Sequence, residues 1–238
     1  MDFGVPWLDS GLAFPSASCA HDDGLVAVGG DLCAERLVAA YRHGVFPWPV
    51  DDLPVLWFSP NPRLLLVPSR VHVSRSLRKL IKKGLWRVSF DTCFERVITR
   101  CATIPRKREQ GTWIRADIVQ AYCRLHDLGL AHSVEVWNEA RLVGGLYGVA
   151  IGAAFFGESM FAEQANASKV ALVELAHRLS RYGYLLIDCQ IVTNHLRTMG
   201  ARPWHRAAFL DKLKIALETP TLQGCWTNTD RINATVSC

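Results

Sequence analysis

The stretch from residue 142 to residue 190 constrains the fold of this chain more than any other part of it. Residues 142–151 and 153–161 are rich in apolar, β-branched and aromatic side chains, and Gly152 separates them. This pattern predicts a β-hairpin, with glycines at the turn and at close backbone contacts. The apolar run from 142 to 157 is shorter than a membrane span, which also favours the hairpin.

The second half of this stretch has the signals of a helix and a strand. Ser168 is a suitable N-cap for a helix that runs to Arg181 and is stopped by Gly183. A short buried strand over 184–189 should follow it. A hairpin, a helix and a strand in this order make a β-α-β unit, so the last strand should run parallel to the second hairpin strand.

Three polar side chains lie near the ends of these predicted strands. Glu158 is in the second hairpin strand, and Asp188 and Gln190 are at the end of the strand at 184–189. Because α/β sheets bind ligands where such strands end, we expect a site here. Taken singly, Glu158 also fits a solvated turn carboxylate, and Asp188 fits a loop or cap residue.

The other segments predict three parts of the chain. Residues 1–67 form a small N-terminal domain, residues 68–219 a larger α/β domain, and residues 220–238, which lack periodicity, a poorly ordered tail. A helix in the N-terminal domain should bury Tyr41, and a helix at 117–128 should bury Tyr122. Asp91 is expected to cap the helix that follows it.

Charge is distributed unevenly along the chain. Residues 70–108 contain twelve Lys and Arg against two acidic residues, a net charge of +10 in a chain whose total is +5. A helix at 74–83 should expose five of these cations, which are Arg75, Arg78, Lys79, Lys82 and Lys83. Such separation favours a polyanion partner, although a solvated helix face is the simpler alternative.

The cysteines and the first residues suggest the compartment. None of the eight cysteines forms a C-x-x-C pair, and no histidine cluster has zinc-finger spacing, so we expect no metal site. The first fifteen residues lack a basic segment followed by an apolar one, so we see no secretory signal. We therefore expect a cytoplasmic protein with reduced thiols and no membrane partner.

Several short motifs occur in a fixed order and at suitable spacing. They are GGDL at 29–32, GVFPWP at 44–49, WFSPNPR at 57–63, GTWI at 111–114, GES at 157–159, NASK at 166–169 and IDCQ at 187–190. Each motif alone is weak, but the ordered set is specific. With these motifs the chain closely resembles the leucyl/phenylalanyl-tRNA–protein transferases over about residues 12–215.

The resemblance implies an α+β protein whose larger domain has the acetyltransferase-like (GNAT) fold. It implies an aminoacyltransferase that needs no cofactor. The donor would be aminoacyl-tRNA carrying Leu or Phe, or less well Met. The acceptors would be proteins with N-terminal Arg or Lys, which the transfer marks for N-end rule degradation.

The resemblance also assigns roles to residues. Asp188 and Gln190 match the catalytic positions, and Glu158 matches the acceptor-binding one. Burying Glu158 without a partner would be costly, and the central stretch offers no nearby Lys or Arg; a basic acceptor would supply the cation. The residues implied for the donor aminoacyl group and adenosine are Trp48, Trp113, Leu146, Phe155, Met160 and Ile187. Plain packing is the alternative for these six.

Two other functions compete with this one. A small-molecule N-acyltransferase has the same fold but needs a glycine-rich turn for a pyrophosphate, and the connection AEQANAS at 162–168 contains no glycine. A non-catalytic tRNA-binding module would need only the basic segment. Transfer of Leu from charged tRNA to a peptide distinguishes the three.

Overall fold

The computed structural model describes residues 3–50, 52–104 and 114–227. In these ranges eleven strands form a four-stranded and a seven-stranded sheet, accompanied by seven α-helices. The strands are β1 (Trp7–Leu8), β2 (Leu25–Gly29), β3 (Phe46–Pro47), β4 (Leu56–Phe58), β5 (Arg63–Leu66), β6 (Arg87–Phe90), β7 (Ala131–Asn138), β8 (Arg141–Ile151), β9 (Ala154–Ala162), β10 (Leu186–Asp188) and β11 (Arg202–Trp204). The helices are α1 (Ala34–Arg42), α2 (Arg75–Lys82), α3 (Phe94–Thr103), α4 (Ala116–Asp127), α5 (Ala167–Arg181), α6 (Asn194–Thr198) and α7 (Arg206–Leu217).

The smaller sheet belongs to the N-terminal region and has the order β1-β2-β4-β3. All of β2 is buried, and the indole N–H of Trp57 in β4 donates to the carbonyl of Gly29 at 2.8 Å. Gly29 and Gly30 have positive φ, which lets the chain turn sharply between β2 and α1. On α1, Leu37 and Tyr41 are fully buried, as the sequence predicts. The Tyr41 ring packs against β9 of the larger sheet.

The larger sheet has the order β11-β5-β10-β9-β8-β7-β6. Strands β7, β8 and β9 are antiparallel, and β10 returns parallel to β9 after α5 crosses over. The predicted hairpin around Gly152 and the predicted parallel strand are therefore confirmed. The mixed α+β architecture is also confirmed, with a small N-terminal region before a larger α/β domain.

Two segments pack against the larger sheet, although the sequence predicts that they belong to the N-terminal domain and to the tail. β5 falls inside the predicted N-terminal unit at 1–67, but it pairs with β10 and β11 in the larger sheet. Residues 220–227, which we expected in a poorly ordered tail, pack against the larger sheet, where Trp226 is only 4% exposed. Both segments are held by partners far away in the chain, so local periodicity does not reveal them. Residues 228–238 lie outside the described ranges.

Two predicted helix caps are wrong. Helix α5 begins after Asn166, which has φ of +75° and makes no capping hydrogen bond through its side chain, and Ser168 is buried within the first turn. Asp91 does not cap α3, whose N-cap is Cys93. Instead the Asp91 carboxylate accepts hydrogen bonds from the backbone N–H groups of Ser133 and Trp226. Tertiary contacts thus override the local capping signals.

Other expectations concern membranes, metals and the basic loop. Over residues 3–50, 52–104 and 114–227, the helices lack the length and apolar character needed to cross a membrane. In the same ranges, no group of three or more His, Cys, Asp or Glu side chains is placed to hold a metal ion. The sequence also predicts a basic loop at 102–112 that ends at Trp113; residues 105–113 lie outside the described part of the chain.

Candidate active site

A cavity of about 360 Å³ opens where β9 and β10 separate. The pairing between the two strands ends at Asp188 and Phe156, and the next four residues of β9, 157–160, line the cavity. A binding site at the point where paired strands diverge is typical of α/β sheets. The apolar lining includes Trp48, Leu146, Phe155, Met160, Leu175 and Ile187.

Glu158 lies at this cavity and is only 8% exposed. It accepts hydrogen bonds from the hydroxyl of Tyr41 at 2.8 Å, from the hydroxyl of Tyr122 at 2.9 Å and from Nε2 of Gln190 at 2.8 Å. The two tyrosine hydroxyl oxygens also lie against each other; because each hydroxyl has a single hydrogen, this contact becomes a hydrogen bond only when one of them turns its hydrogen from Glu158 to the other. The sequence points to a missing cation near Glu158 but does not reveal these donors, which come from α1, α4 and the segment after β10. All three donors are neutral, so they leave the carboxylate charge uncompensated.

The environment of Glu158 changes its protonation. Burial raises the pKa of Glu158 to about 7 although the hydrogen bonds from Tyr41, Tyr122 and Gln190 lower it, and the nearby Asp188 adds to the increase. Burial also raises the pKa of both tyrosines well above the ordinary value, so they remain protonated donors. Near neutral pH, Glu158 is therefore divided between its neutral and ionised forms.

Asp188 lies beneath the cavity and forms a buried ion pair. Nε and Nη2 of Arg63 contact its two carboxylate oxygens at 2.9 and 2.7 Å, and both side chains are fully buried. The Arg63 guanidinium also lies 4.7 Å from the Phe46 ring and 4.6 Å from the Phe209 ring. Asp188 does not line the cavity. Its charge is balanced by the bidentate arginine, a strong arrangement in a buried site.

Asp188 also fixes the backbone at Gln190. The Gln190 N–H donates to Oδ1 of Asp188 at 2.9 Å, and Gln190 has a left-handed φ of +58°. This conformation is costly for a residue other than glycine and needs support from its surroundings. The side-chain amide then reaches Glu158. Asp188 therefore positions Gln190, and Gln190 is the member of the pair that faces the cavity.

Comparison with known proteins identifies the family. A family model described as leucyl/phenylalanyl-tRNA protein transferase matches residues 65–214, and a model of the N-terminal domain of this transferase matches residues 30–61. The transferase of this name from Anaeromyxobacter dehalogenans (strain 2CP-C) is 56% identical over 214 residues, which cover 90% of this chain and 92% of that protein. The chain belongs to the leucyl/phenylalanyl-tRNA–protein transferase family.

Other relatives agree with this assignment. The leucyl/phenylalanyl-tRNA–protein transferase from Myxococcus xanthus (strain DK1622) is 53% identical over 90% of this chain and 92% of its own length. The one from Stutzerimonas stutzeri (strain A1501) is 52% identical over 91% and 97%. The chain is thus an aminoacyltransferase that uses aminoacyl-tRNA and a protein. The solved structure of L-PGS from Bacillus licheniformis overlaps 85% of this chain and 65% of its own at 9% identity and a TM-score of 0.41, and we infer nothing from it.

The cavity brings together most of the residues that the resemblance to the transferase family implied. Seven of them line it, namely Trp48, Leu146, Phe155, Glu158, Met160, Ile187 and Gln190. Asp188 lies below it, and Trp113 is outside the described residues. The five cations of α2 and its C-cap are exposed on the surface. The segment before α2 is joined to the end of α6, because the His72 N–H donates to the carbonyl of Met199 at 2.8 Å.

Three residues of the site were missed at the sequence level. Tyr41 and Tyr122 were predicted to be buried, but not to hold Glu158, and Arg63 was not singled out. A buried tyrosine hydroxyl needs a hydrogen-bond partner, so a search for an acceptor was the available signal for the two tyrosines. For Arg63, the signal was its place at the end of WFSPNPR, directly before an apolar strand that would bury it.

Proposed function

We propose that this transferase, acting in the cytoplasm, moves Leu or Phe, and less efficiently Met, from tRNA to proteins that begin with Arg or Lys. The product would be marked for N-end rule degradation. The observation that carries the proposal is the juxtaposition of an apolar cavity with the carboxylate of Glu158, whose donors are all neutral. One part suits an apolar donor side chain and the other suits a cationic acceptor.

The donor side chain is proposed to fill the apolar part of the cavity. Leu146 and Met160 are register partners on β8 and β9, and Phe155 and Ile187 are partners on β9 and β10. Such walls favour the binding of long, γ-branched or flat side chains, since each buried CH₂ contributes about 0.8 kcal/mol to the binding free energy. Ile and Val branch next to the reacting carbonyl, where the geometry must be tight. Trp48 lines the same cavity and is proposed, with Trp113, as a wall for the aminoacyl-adenosine end.

The acceptor is proposed to be selected by Glu158. An Arg or Lys side chain would complete a charge-assisted pair with the carboxylate. An acceptor with a neutral first residue would leave the charge buried and uncompensated, and such unpaired groups are an effective source of discrimination. Since Tyr41, Tyr122 and Gln190 already hold Glu158 in place, the carboxylate needs no rearrangement before binding.

The chemistry requires little beyond positioning. The acceptor α-amine attacks the ester carbonyl, the C–N bond forms, the bond to the ribose oxygen of tRNA breaks, and the amine proton passes to that oxygen. An α-amine has a pKa near 8, so a useful fraction is neutral without a strong base. Because Nε2 of Gln190 donates to Glu158, its amide oxygen is left to accept the attacking N–H. Asp188 supports this step through the backbone of Gln190.

The body of the tRNA is proposed to bind α2. Five exposed cations lie on one helix with no acidic residue in it, which suits a phosphate backbone. They are Arg75, Arg78, Lys79, Lys82 and Lys83. The hydrogen bond between His72 and Met199 ties this region to α6, and the beginning of α6 lines the cavity.

The test uses purified enzyme, Leu-tRNA and two peptides that differ only in beginning with Arg or with Gly. We expect mass spectrometry to show that the Arg peptide gains one leucine and the Gly peptide does not. Binding of tRNA without transfer to either peptide would contradict the proposal. Equal transfer to both would contradict the role of Glu158 in choosing the acceptor.

A further inference from the structure

The segment 220–227 is fastened to the larger sheet at several points. The backbone N–H of Gly152 donates to Oγ1 of Thr221 at 2.9 Å, and the N–H of Gly224 donates to the carbonyl of Gly129 at 3.2 Å. Gly129 and Gly224 approach so closely that a Cβ on Gly129 would lie 2.4 Å from the backbone nitrogen of Gly224. This segment lies beyond residue 214, where the match to the family model ends.

Trp226 is the most strongly held residue of this segment. Its ring stacks on His132 with centroids 3.7 Å apart and planes within 7°. The backbone N–H of Trp226 donates to the Asp91 carboxylate at 2.7 Å, and its backbone carbonyl accepts from Nη2 of Arg178 at 2.7 Å. Asp91 is itself held by His132. Trp226 therefore occupies one defined position between the sheet and the end of α5.

The ring of Trp226 also contacts a wall of the cavity from behind. Its centroid is 6.1 Å from that of Phe155, and Phe155 lines the cavity. On another side, the Phe155 ring lies over Gly148, where an added Cβ would come within 2.6 Å of it. Phe155 is fully buried. Its ring is thus confined by the β8 backbone at Gly148 and by Trp226, and because protein interiors are close-packed, removing one neighbour lets it move.

We propose that Trp226 is a positioning residue that sets the depth of the donor pocket by holding the Phe155 ring. This inference rests on the proposed use of the cavity by the donor side chain. With Trp226 in place, the pocket has the depth that Leu fills. When the indole is shortened, the Phe155 ring recedes into the vacated space, so the pocket becomes deeper and favours flat, longer side chains over Leu.

The experiment compares aminoacyl-adenosine donors that differ only in the side chain, Leu or Phe, with a peptide that begins with Arg. We expect Trp226→Leu to raise kcat/KM for the Phe donor, relative to kcat/KM for the Leu donor, by at least about tenfold. One methylene group in an apolar pocket changes the discrimination between two substrates by about this factor. The change should lie mainly in KM for the Leu donor. Trp226→Phe, which keeps a ring on His132, should shift the ratio in the same direction by a smaller but measurable factor of about two to three.

A matched control separates pocket depth from general loss of packing. Trp137 is 7% exposed and belongs to the other side of the sheet core. Trp137→Leu removes the same atoms, so it should lower the melting temperature without changing the donor ratio. If Trp226→Leu does not fold, the Trp226→Phe ratio decides, and an unchanged ratio there overturns the inference.

The outcomes also distinguish this inference from the proposed function. If the unaltered enzyme transfers both donors and Trp226→Leu lowers both rates by one common factor, Trp226 is only structural and the inference is overturned alone. If the unaltered enzyme transfers neither Leu nor Phe to the Arg peptide, the proposed function fails, and the inference fails with it.

Discussion

Replacing Glu158 by glutamine tests how the site uses a buried carboxylate. Glu158→Gln keeps the shape of the side chain and removes its charge. In the unaltered protein, Tyr41, Tyr122 and Gln190 all donate to this carboxylate. A glutamine oxygen accepts as before, and the tyrosine that faces the new NH₂ group can accept through its own hydroxyl oxygen. The variant should therefore fold.

The effect on stability follows from the raised pKa of Glu158, which is about 7 in the folded protein against an ordinary value of 4.5. The folded state holds its proton more tightly than the unfolded state, so the free energy of unfolding falls as pH rises from about 4.5 to about 7. This difference in pKa corresponds to about 3 kcal/mol. Glu158→Gln should remove that loss and be more stable than the unaltered enzyme at pH 8 by about 2 kcal/mol, once about 1 kcal/mol for a weakened hydrogen bond is subtracted.

The effect on activity has the opposite direction. At pH 8, Glu158→Gln should reduce transfer to peptides beginning with Arg or Lys by about ten- to a thousandfold, which is about 1.5–4 kcal/mol. Affinity for Leu-tRNA should change little. A variant that is more stable and less active would show that the buried charge destabilises the fold but is needed to bind the acceptor.

The pH profile provides the sharpest assay. kcat/KM reports groups of the free enzyme and the free substrate, here Glu158 near pH 7 and the acceptor α-amine near pH 8. With an Arg peptide, log kcat/KM should rise with a slope of about two below pH 7 and about one between pH 7 and 8. In Glu158→Gln the steeper part should disappear, leaving only the titration of the amine.

Glu135 offers a matched control for this experiment. It is also fully buried and held by hydroxyl donors, in this case from Ser89, Thr92 and Ser133, and it does not line the cavity. Glu135→Gln should leave the pH profile unchanged. If Glu158→Gln keeps both the steep part of the pH profile and the preference for basic acceptors, the carboxylate does not select the acceptor and the reasoning is refuted.

Three further outcomes are expected. Changing Lys79, Lys82 and Lys83 to Glu should weaken tRNA binding and make the slope of log K against log salt concentration shallower by about 0.7–0.9 for each lost contact. Transfer from aminoacyl-adenosine should persist. Equal losses with both donors would show that these lysines are structural. Gln190→Ala should slow single-turnover transfer by about 2–4 kcal/mol in barrier, more than it weakens binding; an unchanged single-turnover rate would remove Gln190 from the chemistry. Leu-tRNA and Phe-tRNA should be used far better than Ile-tRNA and Val-tRNA, and comparable rates with Ile-tRNA would contradict the proposed pocket.

Local patterns in the sequence are sufficient to predict the central part of the larger sheet. The hairpin β8–β9, the apolar stripe of α5 and the parallel return of β10 each follow from periodicity, glycine positions and the handedness of crossovers. The cavity residues came from the resemblance, since an apolar side chain in a cavity wall has the same local signature as one in the core. Leu146 and Val143, for example, are both buried residues of β8, but only Leu146 lines the cavity.

Contacts between distant segments could not be predicted in the same way. Tyr41 is 117 residues from Glu158 in the chain, and Arg63 is 125 residues from Asp188. No periodic pattern encodes which buried hydroxyl or guanidinium meets which carboxylate. The same limit applies to Asp91, for which the local sequence predicts a helix cap. Its partners His132 and Trp226 come from a strand and from a segment without periodicity.

These distant contacts converge on Gln190, which in the proposed mechanism would link acceptor recognition to the attack on the ester. Asp188 and Arg63 fix its backbone, and Glu158 accepts from its Nε2. An ionised Glu158 only accepts hydrogen bonds, so it keeps the amide oxygen of Gln190 available for the attacking amine. A protonated Glu158 is able to donate to that oxygen instead, and the amide would then present its NH₂ group to the amine, where it would hydrogen-bond the lone pair that has to attack the ester. In the proposed mechanism, the ionised form that would pair with a basic acceptor is thus also the form that would orient Gln190 for the reaction.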